Sequence, residues 1–154
     1  MQILIIEDNP AEAMMFARCL EVAMDVPVKV HVRETLEDGI SFIEDNKKQL
    51  DIVFLDLGLP DAHGWLDSCN AIRPFAGNIP FIVVTGDDNP EVARELLRQG
   101  FEDYIVKGGP KRHIAALRET VEFALCRHES TRRLNQEKEQ GAECIRWLGG
   151  SYSA

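Results

Sequence analysis

Apolar runs at residues 3–6, 52–55, 79–84 and 104–106 each stop at a polar or charged residue followed by turn formers. Short runs of β-branched and aromatic residues bounded by Gly, Pro, Asn or Asp predict strands buried on both faces. Val28, Val30 and Val32 alternate with Lys29 and His31, the pattern of a strand nearer a sheet edge. Helical spacing fills the gaps between these strands. Asn9-Pro10 pairs a favoured cap with a favoured first helical residue, and Met14, Met15, Cys19, Leu20 and Val22 then form the expected buried face. Thr35 is expected to cap a helix carrying Leu36, Ile40 and Ile43. Asp61 is expected to cap the next one, around residues 65–72, which Pro74 and Gly77 end. Asn89-Pro90 repeats the first helix start, with Val92, Ala93, Leu96 and Leu97 buried and Gly100 closing the helix. Ile114, Leu117, Val121, Ala124 and Leu125 mark a last helical stripe.

Five strand–helix units in strict alternation predict an α/β domain, a parallel sheet with helices on both faces and right-handed crossovers. The domain is expected over residues 1–125, with a helical extension over 126–154. Beyond Leu125 the stripe fades at His128, Thr131 and Asn135, while residues 127–140 stay rich in helix formers. Gly141 is expected to interrupt that helix. Cys144, Ile145, Trp147 and Leu148 form a small apolar cluster expected to fold back or to meet a partner, which leaves a homodimer open. The tail lacks a sustained heptad.

Composition narrows the function classes. The net charge is −9. Residues 1–125 hold 12 basic and 22 acidic residues, a charge of −10, so the acid belongs to the folded part and not to the tail. That balance argues against nucleic acid or an anionic membrane as partner. Cys19, Cys69, Cys126 and Cys144 are scattered, the pattern of reduced thiols in a cytoplasmic protein. His31, His63, His113 and His128 stand alone and are expected on the surface or in packing. No signal peptide precedes Ile3, and no apolar run approaches the roughly 20 residues that span a bilayer.

The strand ends carry the candidate chemistry. Glu7-Asp8, Asp56, Thr85 and Lys107 each follow or close an apolar run, so a parallel sheet places them all along one edge. Two bare carboxylates about 4 Å apart repel by roughly 4 kcal/mol at an effective dielectric near 20. One lysine cannot offset three of them. A hard divalent cation can, and Mg²⁺ suits a few carboxylates, waters and a phosphate oxygen. On this reading Asp8 and Asp56 are direct ligands and Glu7 acts through a water. Asp56 is then a nucleophile for phosphoryl transfer, with Lys107 and the Thr85 hydroxyl on the transferred oxygens. Taken singly, each residue has a plainer role: helix-start acids for Glu7 and Asp8, a strand-end hydroxyl for Thr85, a solvated cation for Lys107, and a strand aromatic for Tyr104.

The set resembles the receiver domain of two-component response regulators, over about residues 2–125. The matching residues are Ile5-Ile6-Glu7-Asp8-Asn9, Phe54 to Asp61 with Gly64, Val84-Thr85-Gly86, and Tyr104-Ile105-Val106-Lys107. The resemblance implies a doubly wound, flavodoxin-like sheet of five strands in the order 2-1-3-4-5. It also implies Asp56 as acceptor of a phosphoryl group from a histidine kinase or histidine phosphotransfer protein, and Mg²⁺ held by Glu7, Asp8, Asp56 and the Gly58 carbonyl. Thr85 and Tyr104 would be a switch pair that reshapes the surface read by a downstream protein. Gly108 stands where many receivers have a Pro after the Lys, and Asp87 lies two residues past Thr85. No DNA-binding or catalytic output domain is expected within 126–154, and the last helix is expected to lead on to any further domain. Two other readings are a pseudo-receiver used only for docking and an aspartyl-phosphate phosphohydrolase; the latter needs a second Asp where Gly58 stands.

Overall fold

Alternate residues of a strand face opposite ways, and over residues 3–6, 52–55 and 81–84 both sets are apolar. The computed structural model describes residues 1–109 and 113–150; Pro110 and the terminal Ser-Tyr-Ser-Ala lie outside the described residues. In chain order the elements are β1 (Gln2–Ile6), α1 (Pro10–Ala23), β2 (Lys29–Arg33), α2 (Leu36–Asn46), β3 (Ile52–Asp56), α3 (Trp65–Ile72), β4 (Phe81–Thr85), α4 (Pro90–Arg98), β5 (Asp103–Val106) and α5 (Ile114–Gly150). The strands form one parallel sheet in the order β2-β1-β3-β4-β5. β2, the strand with the alternating pattern, is at its edge. Leu4, Ile6, Val53, Leu55, Phe81 and Val83 meet Leu36, Ile43, Ile72 and Leu96 from α2, α3 and α4. Ile3, Ile5, Ile52, Phe54, Ile82 and Val84 meet Phe16, Leu20, Leu117 and Val121 from α1 and α5 on the other face.

The helix starts follow their sequence signals. Asn9 accepts from the N–H groups of Ala11 and Glu12, Thr35 from Asp38, and Asn89 from Glu91. Gly100 follows α4 with φ at +98°, the left-handed turn expected of it. Gly108 takes φ +75° after Lys107, and Gly109 N–H closes on the Val106 carbonyl at 2.9 Å.

Several expectations are corrected. The buried face of α1 is Ala13, Phe16, Leu20 and Ala23; Met14, Met15 and Val22 are 67%, 58% and 66% exposed. Ala13 and Ala23 let α1 approach the sheet with Phe16 and Leu20 packed between them, while Met14, Met15 and Val22 turn outward. In α4 and α5 the buried stripes are narrower than expected, since Leu97 and Ile114 are largely exposed. Gly141 does not interrupt α5, which runs through it; a helical glycine costs only about 1 kcal/mol against alanine. The cluster at Cys144, Ile145, Trp147 and Leu148 is exposed on that helix and does not fold back.

A further correction concerns Asp61. It does not cap α3, whose cap position is Gly64 without a side-chain bond. Its carboxylate instead accepts from Leu36 N–H at 2.9 Å and Glu37 N–H at 3.0 Å, at the start of α2. The loop after β3 is thereby tied to the neighbouring helix. Burial opposes ionisation of Asp61, but these two donors outweigh it and hold the carboxyl below its usual range. Asp61→Ala is expected to cost about 1 kcal/mol in urea unfolding at pH 7. Because the folded-state pKa is depressed, that contribution is present above the unfolded carboxyl value and is lost as pH falls through the folded one. A loss of equal size at pH 7 and at pH 3 would count against the capping role.

α5 continues past the sheet. His128 is still buried, its Nδ1 2.9 Å from Glu102 Oε1, and residues 129–149 are all exposed. Among the described residues no helix is long and apolar enough to cross a membrane.

Candidate functional site

Parallel pairing brings the strand ends together. Ile6 lies beside Leu55, Asp56 beside Val84, and Thr85 beside Val106. Glu7 and Asp8 therefore leave β1, Asp56 ends β3, Thr85 ends β4 and Lys107 leaves β5 along one edge. Together with Asn9, Glu12, Gly58, Trp65, Gly86 and Asp87 they line an open cleft of about 490 Å³. Tyr104 is not among its lining residues. It lies on β5 beside Val83, half-buried, and packs against the α2–α4 side of the core.

Glu7 and Asp56 are buried at 5% and 6% exposure, while Asp8 is exposed. One carboxylate oxygen from each of these three lies within 4.8 Å of the others. Lys107 Nζ reaches into this group, 2.9 Å from Glu7 Oε2 and 3.4 Å from Asp56 Oδ2. It also sits 2.6 Å from Glu12 Oε2. Burial pushes the Glu7 carboxyl above its usual range against the pull of the Lys107 ammonium and the Asn9 N–H. Lys107 shifts upward despite its own burial, because Glu12, Glu7 and Asp56 all favour its charged form. It stays an ammonium across the working pH range.

The remaining groups have defined partners. Asp56 Oδ1 accepts from Gly58 N–H at 3.1 Å, which fixes one carboxylate oxygen against the loop after β3. A Cβ on Gly58 would stand 3.7 Å from both Asp56 oxygens, so glycine keeps that side of the carboxylate open. Thr85 Oγ1 accepts from Asp87 N–H at 3.0 Å, which leaves the hydroxyl proton for another acceptor. The donor set is all oxygen and hard, and fits a divalent cation of the Mg²⁺ or Ca²⁺ type.

All the expected cleft residues thus come to one edge, and Glu12 joins them unannounced. In the sequence it reads as one more acid in the first turn of α1, a position favoured by the helix dipole. Nothing local points to its contact with Lys107, which lies far away in the chain.

Comparison with known proteins agrees with this geometry. A sequence model described as the response regulator receiver domain matches residues 3–119. The chain is 30% identical over 131 residues to the methanogenesis regulatory protein FilR1 of Methanothrix harundinacea (strain 6Ac), covering 85% of this chain and 29% of that protein. It is 30% identical over 130 residues to the KDP operon transcriptional regulatory protein KdpE of Escherichia coli (strain K12), covering 84% and 53%. It therefore spans less than two thirds of either relative. Among solved structures, a response regulator receiver domain protein from Clostridium thermocellum superposes with a TM-score of 0.71 at 19% identity, over 84% of this chain and 98% of that one. The signal receiver domain of a putative LuxO repressor protein from Vibrio parahaemolyticus gives 0.69 at 25% identity, over 86% and 95%. Such a domain is a phosphoacceptor and not a true enzyme, and it implies a partner histidine kinase. With its acidic cluster at the ends of β1 and β3 and its matched sequence over three quarters of the length, the chain belongs to the response regulator receiver domain family.

Proposed function

We propose that Asp56 is the residue that accepts the phosphoryl group, from a phosphohistidine of a histidine kinase or a histidine phosphotransfer protein. The observation that carries this is the buried Asp56 carboxylate within reach of both Lys107 and the Glu7–Asp8 pair. An Asp56 oxygen forms the new O–P bond as the donor's N–P bond breaks, and the electron pair leaves on the imidazole nitrogen, which takes up a proton. Lys107 offsets charge on the transferred oxygens, and the Thr85 hydroxyl donates to one of them. Mg²⁺, held by Asp8, Asp56, the Gly58 carbonyl and Glu7 (directly or through a water), would supply further charge neutralisation.

The modified group carries about −1.5 to −2 charge. Thr85 turning toward it alters the end of β4 beside β5, where Tyr104 sits two residues before Val106, the partner of Thr85. Thr85 and Tyr104 are the proposed switch pair. The change is read by a downstream protein in the cytoplasm, with the domain at 1–125 as receiver and 126–154 as the segment that carries the signal on.

The test uses Mg²⁺ and acetyl phosphate with intact-mass measurement. A gain of one phosphoryl group is expected for the wild type, and none for Asp56→Asn or in excess chelator. Modification that persists in Asp56→Asn would move the acceptor elsewhere. An unmodified wild type that also binds no Mg²⁺ would favour a docking module, and fast multiple turnover would favour a phosphohydrolase.

A further inference from the structure

Glu12 stands at the third position of α1, three residues after the Asn9 cap, where a glutamate ordinarily reaches back to the N–H of the cap residue. Here that N–H is occupied, donating to Glu7 Oε1 at 3.1 Å. The Asn9 side chain in turn satisfies Ala11 and Glu12 N–H. The Glu12 carboxylate is therefore released from capping and spans from α1 to the segment after β5. Its 2.6 Å contact is the shortest that Lys107 makes to any of its three acids, and the contact to Asp56, at 3.4 Å, is the longest. The ammonium has only three protons to give. The acid closest to it is thus not the one on which the chemistry is expected.

We propose that Glu12 is a positioning residue that draws the Lys107 ammonium away from Asp56, leaving the Glu7, Asp8 and Asp56 carboxylates available to a divalent cation and making an incoming phosphoryl group compete for the lysine. The inference rests on the reading of Asp56 as phosphoacceptor. It makes Glu12 a tuning group with opposite effects on the two ligands of the cleft. With Glu12 present, the cation meets one more negative charge and less competition from Lys107. The phosphoryl anion meets one more negative charge and a lysine already engaged. Glu12→Gln keeps the side-chain size and removes the charge, so both effects reverse together.

The test follows Trp65, which lines the cleft, by fluorescence in the full chain. MgCl₂ is titrated alone, and beryllofluoride, a phosphoryl analogue, is then titrated at saturating Mg²⁺. Glu12→Gln is expected to weaken Mg²⁺ binding and to tighten beryllofluoride binding, each by about three- to tenfold. That is the scale of one unit charge acting over several ångströms at a dielectric between those of protein and water. A loosened or partly unfolded cleft would weaken both, so the opposite signs separate positioning from mere structural support. In a Lys107→Met background the gain in anion affinity from Glu12→Gln is expected to shrink, because the lysine it frees is gone. A gain that persists in full would show that Glu12 acts by its field alone and would overturn the positioning role. A wild type that binds both ligands, with Glu12→Gln unchanged or weaker in both, overturns this inference and leaves Asp56 untouched. A wild type that binds neither ligand overturns the phosphoacceptor reading and this inference with it.

Discussion

Lys107→Met is expected to destabilise the protein by about 2–4 kcal/mol in Mg²⁺-free buffer at pH 7, the range for stripping the partner from a largely buried charge pair after discounting for partial solvent access. The lysine side chain is 22% exposed, against 6% and 7% for those of Glu7 and Asp56. Without the ammonium, two buried carboxylates and Glu12 lose the cation they share. The pH dependence identifies the cause. Burial already raises the Glu7 pKa in the folded state, and Lys107 opposes that rise, so removing Lys107 raises it further. A raised carboxyl pKa means that the folded state binds its proton more readily, and stability falls as pH rises from the unfolded value, 4.5, through the folded one. The cost of Lys107→Met should therefore be full above the raised Glu7 pKa and should vanish on acidification below 4.5. Urea midpoints for both proteins across that window measure it. Adding Mg²⁺ at pH 7 should restore more stability to the variant than to the wild type, since the cation then replaces the missing charge. A cost that is flat with pH would assign the loss to packing of the lysine stem.

Glu7, Asp56 and Lys107, on which this pH dependence rests, are residues that the sequence brings to one edge, and this part of the molecule was the most legible. Apolar runs such as 52–55 read as strands because both faces of a central strand are buried, and parallel order then collects whatever closes each run. Helix starts were equally legible, since Asn9, Thr35 and Asn89 act on N–H groups within three residues. Contacts between elements were not. Asp61 looked like a cap for the helix after it, but its partners lie 25 and 24 residues earlier. Glu12 likewise meets a lysine from another strand end. Hydropathy also misassigned α1, because burial there follows the close approach permitted by Ala13 and Ala23, and the methionines one and two residues past Ala13 are more apolar but face solvent. The family resemblance supplied the sheet order, which periodicity alone leaves open.

Phe54→Ala is expected to cost about 3–5 kcal/mol, the range for deleting a buried aromatic ring, and to weaken the site without touching it. Phe54 is fully buried on the central strand, two residues before Asp56 and on the same face. Its ring meets Phe16 of α1 edge to face, with centroids 5.0 Å apart and planes at 86°, a geometry that adds about 0.5–1.5 kcal/mol beyond area burial. A void of about 10 Å³ lies among Phe16, Phe54, Glu7, Glu12 and Asp56. At that size it is at the threshold for a single water. Removing the ring enlarges it directly behind the acidic cluster and leaves α1 without its anchor on β3. Glu12 and Lys107 depend on that same helix-to-strand spacing, so phosphoryl uptake from acetyl phosphate should slow even under conditions where Phe54→Ala remains folded. Phe54→Leu fills most of the space and should cost well under half as much. Urea unfolding measures the stability change, and intact mass over time measures the uptake. A loss below about 1.5 kcal/mol for Phe54→Ala would mean that α1 collapses onto the sheet to close the gap. Full loss of stability with uptake unchanged in the folded fraction would show that the carboxylates are held by the strand ends alone, independently of the packing beneath them.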